Sequence, residues 1–438
     1  LDGQETALHS FNSNELGFRK IPRTGVIYVM TKAQQAGFRY GDPEWSNLGQ
    51  GAPETGAIPG ERERLSTMAV DPRSSEYSPV VGDRELREKV AELYNSRYRQ
   101  GRKSRYTYEN VAISAGGRVG LTRLAASLGA INLGHFLPDY TAYEELFEIF
   151  KAFVPIPIVL NEQSGFAITE RLLRDEVISR GLGGVLLSNP SNPTGQVLWG
   201  DELARFVQVG REIGCCLIFD EFYSHYVYFQ PGKTISSSAA AHVEDVNRDP
   251  VVIVDGLTKN WRYPGLRLSW TLGPKSVIDK LASAASFLDG GASHPVQKAA
   301  IPLLERDLAD EQARAIQAEF LKKRDLMMSR LEKMGFWIPG QPQGSFYCFA
   351  SLRSLPEHLR DGMALFERLL LEKVICVPGE FFDVNPGKRR SHIPSRLKEF
   401  VRFSFGPNLN EMMLGLDRLE KVLQGEGETD PSVMGSSR

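Results

Sequence analysis

Cysteine is scarce in this chain: four in 438 residues, at Cys215, Cys216, Cys348 and Cys376, with no Cys-x-x-Cys spacing. Three of them sit inside apolar runs that read as strands, so buried free thiols are expected rather than a disulfide framework. The seven histidines are scattered, with no His-Glu-x-x-His motif or close pair, which leaves a metal site without support. No apolar run approaches the roughly 18 residues that span a bilayer. The first 30 residues lack a charged stretch followed by an apolar one, so the expected location is the cytoplasm. Charge of one sign is also missing: 52 basic residues against 54 acidic ones give a net charge of -2. That balance offers no sequence-independent attraction to nucleic acid or to an anionic membrane. No Gly-x-Gly-x-x-Gly follows the first strand-like run, which removes a nicotinamide-binding reading.

What is present is ordinary globular composition, with 42% hydrophobic, 24% charged and 10% aromatic residues and no internal repeat. The length suggests about two or three structural units. The first 60 residues are rich in Gly, Pro, Asn and polar side chains and read as an arm or lid, with a broken apolar pattern around 26–30. From Gly82 a helical pattern begins, with Leu86, Val90, Leu93 and Tyr94 on one face. Strand-like runs then follow at 111–114, 135–138, 155–160, 184–189, 216–220, 251–255 and 267–272, with helix-length amphipathic segments such as 140–150, 170–180 and 201–213 between them. Continuous apolar runs such as Val-Val-Ile-Val at 251–254 suit strands covered on both faces, so the alternation predicts an α/β fold with a mostly parallel sheet. A long helix at about 309–334 leads to a second unit of about 90 residues, with strands near 345–350 and 401–405 and helices near 362–372 and 409–423. The expected division is an N-terminal arm and part of a small domain at 1–65, a large domain at 66–335, a small α+β domain at 336–424 and a disordered tail at 425–438.

In sheets of this kind ligands sit beyond the carboxyl ends of the strands, so the polar residues that close the apolar runs are the ones to inspect. Asn189-Pro-Ser-Asn-Pro-Thr-Gly195 closes one run, Asp220-Glu-Phe-Tyr223 the next, and Gly256-Leu-Thr-Lys259 the one after, with Arg267 eight residues beyond the lysine. Taken singly, the first is a rigid turn and the lysine a solvated charge. An ordered set of Asn, Asp, Tyr, Lys and Arg at successive strand ends is hard to obtain by chance.

This set resembles that of the fold-type I pyridoxal-phosphate enzymes, and within them the class I/II aminotransferases, over about 47–420. The stretch Gly-Leu-Thr-Lys-Asn-Trp-Arg-Tyr-Pro-Gly-Leu-Arg-Leu-Ser-Trp at 256–270 is similar to the branch with tyrosine and alanine aminotransferases, although Ser269 stands where that branch usually has Gly. The resemblance implies pyridoxal 5'-phosphate as cofactor, an amino acid and a 2-oxo acid as substrates, and a homodimer with shared sites. It implies that Lys259 forms the Schiff base and moves the proton at Cα, and that Asp220 pairs with the pyridine nitrogen. Tyr223 and Asn192 would bind the phenolic oxygen. Gly116, Gly117 and Arg118, which open a helix, would hold the phosphate with Thr258 and Arg267. Tyr140 would stack on the ring, Tyr77 would reach the phosphate of the neighbouring subunit, Arg402 would bind the substrate carboxylate and Gly51 would face the substrate from the opposite side. Read without the resemblance, the double glycine is a plain turn, Tyr140 is core and Arg402 is a surface residue.

Two other functions share parts of this pattern. A lyase or substitution enzyme similar to aminocyclopropane-carboxylate synthase would use the same residues, because cofactor and fold do not fix the reaction. A cofactor-sensing transcription regulator would need a DNA-binding module, and the residues ahead of the fold are too few and too poorly helical for one. Phe222, Tyr226 and Trp261 fit either a substrate pocket or core packing.

Overall fold

The apolar runs become strands of three sheets in the computed structural model, which describes residues 25–425. The strands are β1 (Ser46–Asn47), β2 (Val111–Ser114), β3 (Asn132–Leu137), β4 (Val154–Val159), β5 (Leu182–Ser188), β6 (Cys216–Asp220), β7 (Val251–Gly256), β8 (Ser269–Leu272), β9 (Tyr347–Ser351), β10 (Val374–Ile375), β11 (Val377–Pro378) and β12 (Phe400–Ser404). The main sheet has seven strands in the order β2-β8-β7-β6-β5-β3-β4. Pairing from β4 through β3, β5 and β6 to β7 is parallel, and β8 alone runs against its neighbours β7 and β2. The chain therefore has the expected α/β fold, a mostly parallel sheet between helices.

Burial follows the apolar pattern. All of β7 is buried, as a strand covered on both faces requires. The helix Arg84–Tyr98 buries Leu86, Val90, Leu93 and Tyr94, and Asp83 caps it by accepting from the N–H of Glu85 at 2.9 Å. The helix Glu170–Arg180 starts at Thr169, whose hydroxyl accepts from Leu172 N–H, and stops at Gly181 in the left-handed region. The long helix Arg306–Lys333 buries Ile316, Phe320, Met327 and Leu331 and leads into the antiparallel sheet β11-β12-β9. No helix among the described residues is long and apolar enough to cross a membrane.

The structure departs from the sequence reading at three places. The stretch read as an arm contains the helix Gly25–Gln35, and β1 pairs in parallel with β10, which ties residues 46–47 to 374–375. Arg267 lies ahead of β8 rather than inside a strand, at φ 51° in the left-handed region after a short turn. Because β8 runs antiparallel, its amino end lies beside the carboxyl ends of β7 and β2, with Ser269 opposite both Gly256 and Ser114. Arg267 thus reaches the same edge by a different route. The tail expected at 425–438 lies outside the described residues except for Gly425. All four cysteines are free, three buried and Cys216 half-buried, and burial raises the pKa of each.

Candidate active site

The loops after β5, β6 and β7 and the turn before β8 meet at one edge of the main sheet. Asp220, the last residue of β6, is buried, and its Oδ2 accepts from the Tyr143 hydroxyl at 2.8 Å. Burial pushes its carboxyl up to about 6, opposed by the Tyr143 hydroxyl, the Phe222 N–H and the charge of Lys259. Lys259 stands three residues past β7, half-buried, and its Nζ donates to the carbonyl of Gly51. Burial lowers the amine to about 7, helped by Arg402, Arg118 and Arg267 and opposed by Asp220. Near neutral pH a large share of Lys259 is therefore the free amine, the form that attacks a carbonyl.

One side of the lysine is an anion cradle. Gly117 starts the helix Gly117–Ser127, and the N–H groups of its first turn ahead of Val119 have no carbonyl earlier in the helix to bond. Gly116 sits at φ 90°, and a Cβ there would lie 2.7 Å from the guanidinium carbon of Arg267. A Cβ on Gly117 would strike the Phe222 ring at 2.5 Å. Both glycines are thus needed for Arg267 and Phe222 to close on the turn. The Thr258 hydroxyl, on the residue before Lys259, is buried without a hydrogen-bond partner. Ser269 sits opposite Gly256, where a side chain would collide with it, and its own hydroxyl lies 2.7 Å from that of Ser114. The Arg118 guanidinium donates to the Tyr140 hydroxyl at 3.4 Å, and the Tyr140 ring meets Tyr143 edge-on at 5.4 Å between centroids.

The other side is built by the small sheet and the segment around 47–51. Arg402, on β12, is only 1% exposed. It donates to Asn192 Oδ1 at 2.9 Å and to the Gly49 carbonyl at 2.8 Å, and its Nε is buried without a partner. Its guanidinium lies over the Tyr347 ring at 4.1 Å and that of Phe382 at 5.0 Å. No carboxylate among the described residues pairs with it. Leaving a buried cation uncompensated is costly, so the position is poised to accept an anion. The Tyr223 and Tyr347 hydroxyls lie 2.9 Å apart.

Residues 43–419 match the model of a family described as aminotransferase class I and II. The chain belongs to this family. It is 27% identical to an aspartate aminotransferase of Sulfurisphaera tokodaii over 386 residues, 86% of this chain and 89% of the relative. A probable N-acetyl-LL-diaminopimelate aminotransferase of Bacillus subtilis is 28% identical over 365 residues, 80% of this chain and 82% of that protein. Among solved structures, an aspartate aminotransferase from Thermus thermophilus with maleate superposes with a TM-score of 0.74 at 21% identity, covering 92% of this chain and all of the other. At that identity the likeness speaks for the fold. The protein is a pyridoxal-phosphate-dependent aminotransferase, and the lyase or substitution reading gains no support from these relatives.

The aminotransferase site fits the cofactor on its own geometry. The helix start at Gly116 and Gly117, onto which the Arg267 guanidinium closes, and the unpartnered Thr258 hydroxyl suit a phosphate. Lys259 suits the aldehyde, and the buried Asp220 carboxylate suits a cation such as a protonated ring nitrogen. Of the residues expected from sequence, Gly51, Gly116, Gly117, Arg118, Tyr140, Asn192, Asp220, Tyr223, Thr258, Lys259, Arg267 and Arg402 gather at this edge. Tyr77 does not: its side chain is 99% exposed on a single chain.

Three site residues carried no assigned role in the sequence. Tyr143 was visible only as a second tyrosine three positions after Tyr140; it lies in the helix Ala142–Ile149, which begins just after Tyr140. Tyr347 lies more than a hundred residues from Tyr223 and has no local signal. Arg262, the arginine three residues after the lysine, is fully buried and donates to the carbonyls of Glu54 (2.7 Å) and Gly56 (2.8 Å) and to the Glu61 carboxylate. It clamps the segment after Gly51 against the lysine loop. Of the ambiguous aromatics, Tyr226 donates to the Lys259 carbonyl and Trp261 to that of Leu303, while the Phe222 ring packs on Gly117, and all three are buried.

Proposed function

We propose that this aminotransferase moves an amino group between an L-amino acid and a 2-oxo acid in a ping-pong cycle that uses Lys259 as both anchor and base. The observation that carries the reading is the pairing of a depressed lysine amine with a buried arginine that lacks a carboxylate, at the same strand edge. Bound pyridoxal phosphate supplies the aldehyde that takes the amino group and the ring that withdraws electrons from Cα. The chain's own residues do the rest. Arg402 grips the substrate α-carboxylate and so orients Cα toward Lys259. Lys259, with its amine near neutrality, would take the proton from Cα and return it to the cofactor carbon two atoms along, across the nitrogen. Asp220 holds a proton on the ring nitrogen. Tyr223 and Asn192 serve the phenolic oxygen, while Gly116, Gly117, Arg118, Thr258 and Arg267 hold the phosphate and Tyr140 covers the ring. Gly51 leaves room for the substrate opposite the ring.

The proposal extends to a homodimer in which Tyr77 completes the phosphate site of the second subunit, supported by its near-complete exposure on one chain. It also keeps the division of the chain at about 65, 335 and 424. The amino acids named in the relatives, aspartate above all, are the first donors to test. With ¹⁵N-labelled aspartate and an unlabelled 2-oxo acid, the label is expected in the product amino acid, and double-reciprocal plots at several oxo-acid concentrations are expected to be parallel. Release of label as ammonia would instead indicate elimination.

A further inference from the structure

We infer that Tyr347 is a positioning residue that joins the carboxylate-binding arginine to the tyrosine facing the cofactor's phenolic oxygen, an inference that rests on the function proposed above. Tyr347 opens β9, directly opposite Ser404 and two residues from the Phe349–Arg402 pair, so its place beside Arg402 is fixed by strand register. The side chain is fully buried. Its ring lies 4.1 Å beneath the Arg402 guanidinium, its hydroxyl is 2.9 Å from that of Tyr223, and a Cβ on Gly51 would come within 3.7 Å of the same hydroxyl. One side chain therefore touches the groups assigned to the carboxylate, to the ring oxygen and to the open face for substrate.

The direction of the hydrogen bond follows from counting protons. Tyr223 has one hydroxyl hydrogen, and if that is spent on the ring oxygen, the bond between the two phenols must be donated by Tyr347. A hydroxyl that accepts a hydrogen bond donates a stronger one, so Tyr347 strengthens the contact from Tyr223 to the ring. The charged and titratable groups around the Tyr347 hydroxyl are Arg402, Tyr223, Tyr140 and Asp220, and those around Lys259 are Arg402, Arg118, Arg267 and Asp220. Burial pushes the Tyr347 phenol up to about 12, so it keeps its proton, and the Arg402 charge stacked on the ring offsets part of that rise. The arrangement splits into two separable functions: the ring supports Arg402, and the hydroxyl supports Tyr223.

The test compares wild-type, Tyr347→Phe and Tyr347→Leu holoenzymes by two readouts, the pH midpoint of the visible cofactor band without substrate and the KM and kcat for one amino donor. Tyr347→Phe keeps the ring. It is expected to raise the midpoint by about half a pH unit, a threefold change in the protonation constant, with KM within about threefold of wild type. Tyr347→Leu loses both functions and is expected to raise the midpoint similarly and KM about tenfold. A midpoint unchanged in Tyr347→Phe would overturn the inference, as would a KM unchanged in Tyr347→Leu. If the leucine protein does not fold, the midpoint of the phenylalanine protein decides alone. A wild-type protein without any visible band would overturn the parent reading instead, so the two failures are distinguishable.

Discussion

Lys259→Ala is expected to abolish turnover, with kcat reduced by about 10⁴-fold or more, because one side chain supplies both the anchoring amine and the proton transfer at Cα. The visible band of the bound cofactor should be absent as well. Stability gives a control with an opposite sign. The amine is held at about 7 in the folded protein against an ordinary 10.5, so between those values the unfolded chain binds the extra proton and stability rises with pH. Below about pH 7 the folded state carries the full cost of a desolvated charge. The alanine apoprotein should therefore melt higher than wild type at pH 6, with the gap closing toward pH 10. Thermal melts of both apoproteins across that range check this, and they separate loss of chemistry from loss of fold.

Asp220→Asn is expected to lower kcat by about 10²–10³-fold or more while leaving the visible band, since Lys259 remains. The carboxylate is the group able to hold a proton on the ring nitrogen, and asparagine is a neutral partner of nearly the same shape. Burial raises this carboxyl to about 6. A ring cation beside it favours the ionised form and pulls that value down. The wild-type pair should thus persist as pH falls toward 6, whereas the asparagine enzyme should be slow at every pH. A pH–rate profile of the two proteins, together with the intensity of the band, checks the assignment. Tyr143 makes the comparison cleaner, because its hydroxyl can still donate to the amide oxygen of asparagine and hold the side chain in place.

The sequence revealed what local chemistry encodes. The helix Glu170–Arg180 is read to the residue because a threonine cap and a left-handed glycine mark its ends. Asp220 and Lys259 are legible because each closes an unbroken apolar run, and a parallel sheet places such residues at one edge. The misreadings come from long-range partners. β1 is two residues long and exists through pairing with β10, more than three hundred residues away, so no periodicity announces it. The reversal of β8 leaves no trace in composition, and Arg267 was placed in a strand although it belongs to the turn before it. Tyr347 and Arg262 matter through what they touch, the Tyr223 hydroxyl and the carbonyls of Glu54 and Gly56, and those contacts are set by tertiary packing. Arg402 could be identified by resemblance, but its lack of a carboxylate partner among the described residues, the observation behind its proposed role, is visible only in three dimensions.

The most direct test of amino-group transfer is a single half-reaction. Purified holoenzyme is mixed with excess aspartate, or with whichever amino acid proves the best donor, in the absence of any oxo acid, and the 2-oxo acid released is counted against enzyme sites. The account predicts one oxo acid per site, loss of the visible band, and its return on adding a 2-oxo acid. Continuous formation of oxo acid and ammonia with the band intact would contradict it.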